Sequence, residues 1–218
     1  MIRFLPRLLV LVGILSSGSA EASCELARSP RLVDVPAEEW LETVPSEVVR
    51  RLDQEGFAFP EESAIDECPG MVPALVIFDQ PPDRVFGLLI QTERHGEFMK
   101  SLRSVDPVSR RPEEHVDRHE MKILFKRIAY HVRHDWSPEL GRIWWDLSPA
   151  HPNDLRSIMG FWELHPLGAN RSLALYGTRV DVGPIIPARL QESLTRKNLR
   201  MAVENVRRWV EREGGATR

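Results

Sequence analysis

The spacing of apolar residues changes along the chain, and each change predicts a different element. In VPAEEWLETVPSEVVRRLDQE, Trp40, Leu41, Val44, Val48 and Leu52 recur at near-helical intervals, which predicts a helix over 35–55 with a break or kink at Pro45. The run MVPALVIF, 71–78, is nearly continuous in apolar residues and reads as a buried strand. Pro82 then suits a first helical position, Asp83 suits the positive end of the helix dipole, and Val85, Phe86, Leu88 and Leu89 form one apolar face. Gly96 breaks that helix, and 97–102 has room for one more short turn.

The period then drops to two. A strand is expected over 101–110. In RHEMKILF, Met121, Ile123 and Phe125 alternate with Glu120, Lys122 and Leu124. In IAYHVRHDW, Ile128, Tyr130, Val132, His134 and Trp136 share one face, and Ala129, His131, Arg133 and Asp135 share the other. RIWWDLSP, IMGFWELHPL and SLALYGTRVDV follow, the last two joined by the turn GANR. Short alternating segments separated by turns predict an antiparallel meander with one face wet. The period returns to 3.6 over 188–213, where Leu190, Leu194, Leu199, Val203, Val206 and Val210 form one stripe and Gly214 suits the helix end. Such a stripe packs on a broad sheet.

The chain has 218 residues, 42% of them hydrophobic and 28% charged, with a formal net charge of −3. That is an ordinary globular mix, without the basic excess that would point to nucleic acid. The first residues differ from the rest. Arg3 and Arg7 precede LLVLVGIL, and small residues follow. This is the order of a secretory signal peptide, expected to be cleaved after Ala22 to leave Ser23 first; an uncleaved anchor is the alternative. The apolar run is short of the about 20 residues that span a bilayer. Three segments follow from this reading: a signal peptide, 1–22; an N-terminal helical extension and linker, 23–70; and a main domain, 71–214. An exported chain is periplasmic or secreted, where Cys24 and Cys68 would form one disulfide; two free thiols are the alternative.

Three stretches together resemble a known superfamily: DQPPDRVFGLLIQTERHGEFM, GFWELHPLGANRSLALYGTRVDVG and PIIPARLQESLTRKNLRMAVENVRRWV. The likeness is to the START-like helix-grip superfamily, also called SRPBCC, in its polyketide cyclase/dehydrase and coenzyme Q-binding branch, over 72–213. One departure is His95-Gly96, which stands where an aromatic-proline pair is usual in the second corner. The resemblance implies an α+β fold in which a curved antiparallel sheet wraps around the long C-terminal helix, with a ligand cavity between them. The short helices after the first strand would form its rim, stiffened by prolines.

Met121, Ile123, Phe125, Tyr130, Val132, His134, Trp136, Trp162, Tyr176 and Leu194 are the candidate lining residues. Aromatic side chains at Tyr130, Trp136, Trp144, Trp145, Phe161, Trp162 and Tyr176 suit either core packing or an apolar ligand. Trp144 and Trp145 must face opposite ways, so one of them is exposed or lies under the helix around Trp40. The expected partner is a hydrophobic small molecule or lipid, with room for transient membrane contact and none expected with nucleic acid.

Chemistry is less marked. No G-x-S-x-G, H-E-x-x-H or phosphate-binding loop is present. His115 and His119 share a strand face about 13 Å apart, and His131 and His134 point to opposite faces, so neither a metal site nor a cofactor is expected. His134, Asp135, Glu163 and Tyr176 are the ionisable residues of the central strands, with His134 a candidate proton donor. A binding protein, a cyclase/dehydrase-type enzyme and a scaffold with a filled interior are therefore the three readings. Polar pairs on the inner face would favour the enzyme.

Overall fold

The computed structural model describes residues 33–60, 71–123, 126–183 and 188–215, without the side chains of 123 and 188–198. The expected signal peptide with its expected cleavage site, Cys24, Cys68 and Phe125 lie outside these residues, as do the side chains of Ile123, Leu190 and Leu194.

Eight strands form one antiparallel sheet in the order β1-β2-β8-β7-β6-β5-β4-β3. They are β1 (Phe57–Ala58), β2 (Val72–Phe78), β3 (Leu102–Arg111), β4 (Glu114–Ile123), β5 (Lys126–Ser137), β6 (Arg142–Leu147), β7 (Ser157–Leu167) and β8 (Arg171–Asp181). From β3 to β8 the chain is a meander, with neighbours in sequence paired in space. The exception is β2, which pairs with β8 at the far end of the domain, from Val72↔Thr178 to Phe78↔Ser172.

The helices are α1 (Ala37–Thr43), α2 (Ser46–Glu55), α3 (Pro82–Leu89) and α4 (Ala188–Gly215), with a 3₁₀ helix at Thr92–Glu97. The helix expected over 35–55 is thus two. Pro45 has no amide hydrogen and holds Val44 in extended backbone, φ −79° and ψ 140°, so the first helix ends there. Pro82 takes the first turn of α3, where a missing N–H leaves no bond unmade.

The sheet is covered on both faces. Ala74, Val76, Phe78, Trp162, Leu164 and Ala174 point to one side and pack with α3 and with Val203, Val206, Trp209 and Val210 of α4. Leu75, Ile77, Phe161, Leu173 and Leu175 point to the other and pack with Ala37, Leu52 and the half-buried Trp40, Leu41 and Val48 of α1 and α2. The molecule is therefore three-layered along β2, β7 and β8. This corrects the expectation of one wet face. It also settles where the two tryptophans go: Trp144 joins the layer that holds Trp40, and Trp145 faces α4. Apolar area removed from water on both faces makes these strands the most heavily buried part of the fold.

A polar group is sealed beneath the outer layer. Glu163 is fully buried and accepts hydrogen bonds from Val33 N at 3.2 Å and from His165 Nε2 at 2.7 Å. Arg142 lies 3.4 Å from its other oxygen and stacks over the Phe161 ring. A charge so deep is tolerable only with such partners. Gly168 N donates to Glu38 at 2.7 Å, fastening α1 to the β7–β8 turn.

Candidate functional site

The corner after α3 is built into the concave side of the sheet. Arg94 pairs with Glu97 and with Glu213 of α4, each at 2.7 Å, and stacks over Trp209. Trp209 Nε1 donates to Glu97 at 2.8 Å, and Asn205 Nδ2 donates to Phe98 O at 3.2 Å. The 3₁₀ helix is thereby clamped to the C-terminal helix. Its free face turns toward β4 and β5, and His95 is the residue it offers there.

His95 Nε2 lies 3.0 Å from the Leu89 carbonyl. A carbonyl only accepts, so Nε2 carries the proton and Nδ1 is the acceptor on that ring. The His95 ring meets His134 of β5 edge-on at 5.6 Å, and His134 lies 6.0 Å from the ring of His119 on β4. Register explains the gathering. His115 pairs with His134, Asp117 with Val132, and His119 with Tyr130, so every second residue of β4 projects beside the inward row of β5. Asp117 is fully buried between the two β4 histidines in sequence; its Oδ1 accepts from Arg110 of β3, and its Oδ2 lies 3.8 Å from His134 Nδ1. Thr92 Oγ1 comes within 3.5 Å of His115 Nδ1.

Burial sets the charge state of this group. It holds His134 well below the ordinary imidazole range, with His95 and His119 nearby acting in the same direction. His119 is pushed down to about 4, mainly by burial. Burial also lowers His95 and His115. The four rings are neutral near pH 7, each with one donor and one acceptor. Within this group three buried atoms have no hydrogen-bond partner among the described residues: Asp117 Oδ2, His119 Nε2 and His134 Nδ1. Among the described residues no three His, Cys, Asp or Glu side chains are arranged to hold a metal ion.

Away from the histidines the concave face becomes aromatic. His134 contacts Trp145 at 6.4 Å, Trp145 contacts Tyr176 at 5.8 Å, and Tyr176 contacts Trp162 at 4.4 Å between ring centres. Trp136 sits edge-on to His115 at 4.6 Å. Burial pushes the Tyr176 phenol up to about 12.

The structure brings together most of the residues expected to line a cavity. Tyr130, Val132, His134, Trp136 and Trp162 are buried on the concave side, and Met121 and Tyr176 are partly buried there. Phe161 and Trp144 belong instead to the convex layer. Of the other ionisable candidates, Glu163 belongs to the convex polar group and Asp135, whose pairing partner is Trp144, shares that face. The N-terminal helices pack on the convex side, on the face of the sheet away from α4. Two clefts lined by described residues are also convex: one between α1 and α2, the other where 33–38 crosses His165, Pro166 and Gly168.

The sequence reading missed His95, Asp117 and Arg110. The alternation His115-Asp117-His119 was the available signal, a polar stripe on what should be an inward face. His95 could not be placed, because a tertiary corner brings it from another part of the chain.

No protein-family model matches the chain, and no curated protein matches its sequence. Solved structures do. Zhui aromatase/cyclase from Streptomyces sp. R1128 superposes with a TM-score of 0.56 at 16% identity, covering 65% of this chain and 93% of that one. A START superfamily protein from Mycobacterium smegmatis gives 0.55 at 16%, covering 65% and 97%. A STAR-related lipid transfer protein from Xanthomonas axonopodis gives 0.57 at 12%, covering 71% and 98%. At these identities the likeness is one of backbone architecture. The chain has the α+β START-like helix-grip fold, in which a curved antiparallel sheet faces a long C-terminal helix.

Proposed function

We propose that this chain is an exported binding protein that holds a hydrophobic small molecule between the concave sheet face and α4. The observation that carries the reading is the aromatic row Trp145, Tyr176 and Trp162, with Trp136 beside it, which runs along that face to the buried histidines. Aromatic walls with a few convergent polar groups are the usual make-up of a small-molecule site. The names of two fold relatives, an aromatase/cyclase and a lipid transfer protein, suit the same class of ligand. The apolar run near the N-terminus, with its Ala20-Glu21-Ala22 site, supports export.

Native mass spectrometry of the purified chain, with a long-chain fatty acid and a quinone as added probes, tests the binding reading. A retained or added apolar ligand that raises the melting temperature is expected. Failure of every probe to bind would leave the scaffold reading in its place. Fractionation of the producing cells, followed by N-terminal sequencing, tests export, with Ser23 as the expected first residue.

One observation favours an enzyme of the cyclase/dehydrase type as the second reading. His134 and Asp117 are both buried and stand 3.8 Å apart, a separation that can tighten to a hydrogen bond when a substrate enters. Turnover of an added polyketide-like probe, lost in Asp117→Asn with binding retained, would favour it.

A further inference from the structure

The polar end of the concave face is built to accept hydrogen bonds. We infer that His95, Asp117, His119 and His134 form a recognition site for an uncharged aromatic molecule that carries a hydroxyl group, such as a phenol or naphthol. This rests on the reading of the concave face as a small-molecule site, and it names the chemistry that site selects.

The inference follows from what each group can still do. Asp117 Oδ2 is a buried carboxylate oxygen without a hydrogen-bond partner, and it can only accept. His95 has committed its proton to the Leu89 carbonyl, which leaves a lone pair at Nδ1. His119 Nε2 and His134 Nδ1 are buried and without partners, and a neutral imidazole nitrogen either accepts or donates. A hydroxyl does both, so it can donate to one of these groups while accepting from a second. Buried polar atoms left unmatched are costly, and a ligand hydroxyl would match them.

Charge narrows the choice. The carboxylate of Asp117 already faces the Arg110 guanidinium, so no net negative charge waits for a cation. Burial keeps the histidines neutral, so none supplies a positive charge to an anion. Glu93 on the 3₁₀ helix and Asp106 on β3 act in the opposite direction, at His95 and His119 respectively, but rank behind burial. The neighbouring rings of Trp136, Trp145 and Tyr130 supply flat walls for an aromatic body.

Equilibrium dialysis of the full chain against 1-naphthol and naphthalene, a pair that differs by the hydroxyl alone, tests this. Naphthol should bind about tenfold tighter than naphthalene, the worth of one or two buried hydrogen bonds. In His119→Phe and in His134→Phe the preference should fall to about twofold or less, with the naphthalene affinity retained. Equal binding of the two probes by the unaltered chain would overturn the hydroxyl site and leave the apolar site standing. Binding of neither would overturn both. An undiminished preference in both folded variants would show that other residues read the hydroxyl and would overturn the assignment to these histidines. The comparison of probes needs no variant, so it decides the question even where a substitution prevents folding.

Discussion

Acid should destabilise this fold through the buried histidines, and His119 gives the size of the effect. Its ordinary pKa is 6.5, and the native environment pushes it to about 4, chiefly by burial and then by the neighbouring His95. The neutral ring is the form the fold accepts. Between these two values the unfolded chain binds a proton that the native one refuses, so stability falls as pH falls through that window and levels off below it. A difference of about 2.5 units corresponds to roughly 3 kcal/mol, of which about 2.5 kcal/mol is lost between pH 7.5 and 4.5. His95, His115 and His134 shift in the same direction and add to the loss.

Carboxylates titrate in the same range, so the informative quantity is a difference between proteins. Urea unfolding of the wild-type chain and of His119→Phe, each at pH 7.5 and 4.5, isolates it. The phenyl ring keeps the edge contact with Tyr130, which the imidazole makes at 5.4 Å between centres. The wild type should lose about 2.5 kcal/mol more than the variant on acidification. Equal losses would refute the claim that His119 is held neutral by burial.

Other perturbations separate the layers. Gly160→Ala would place a methyl group 2.3 Å from Trp145 Cζ2 and 2.5 Å from the Gly177 carbonyl; a melt should show a cost of about 1–3 kcal/mol, and Trp145 fluorescence should shift as the ring is displaced. Arg142→Met removes a cation from beside buried Glu163 and should lower stability in chemical denaturation by about 3–5 kcal/mol. Removal of 33–56 should expose the apolar convex side of β2, β7 and β8, giving strong binding of a hydrophobic dye and aggregation, without changing which probes the concave face selects. A Gly177→Trp substitution should disturb the convex layer, since a Cβ there meets Phe161 and Met71, whereas Ala174 faces α4.

The strand faces were legible because period-two alternation survives wherever one face is drier than the other. Ile128, Tyr130, Val132, His134 and Trp136 fall on the buried side of β5 as their spacing requires. The second cover was not legible for the converse reason. In GFWELHPL, Glu163 and His165 occupy the positions that alternation assigns to solvent, yet both are buried because α1 and α2 seal that face. Local pattern records polarity, and burial of a paired charge leaves polarity unchanged. Pro45 correctly signalled an interruption, but the two-residue strand Phe57–Ala58 was too short to carry any period. The concave site was half legible. His134 was placed inward by its strand neighbours, whereas its meeting with His95 and Asp117 depends on register and on a corner.

The pairing of β2 has a consequence for synthesis. The strand emerges early with β1 on one edge, but its other edge waits for β8, whose Thr178 is the partner of Val72. A ribosome must therefore deliver about a hundred further residues before that edge closes. Until then an apolar strand has an open row of amides and carbonyls, the arrangement most ready to pair with another chain. The meander β3 to β7 can assemble meanwhile from near neighbours, and the arrival of β8 then joins it to β2 and completes both layers. The nascent chain thus passes through a long interval of vulnerability, and a pause placed just before β8 should make this protein unusually dependent on chaperones.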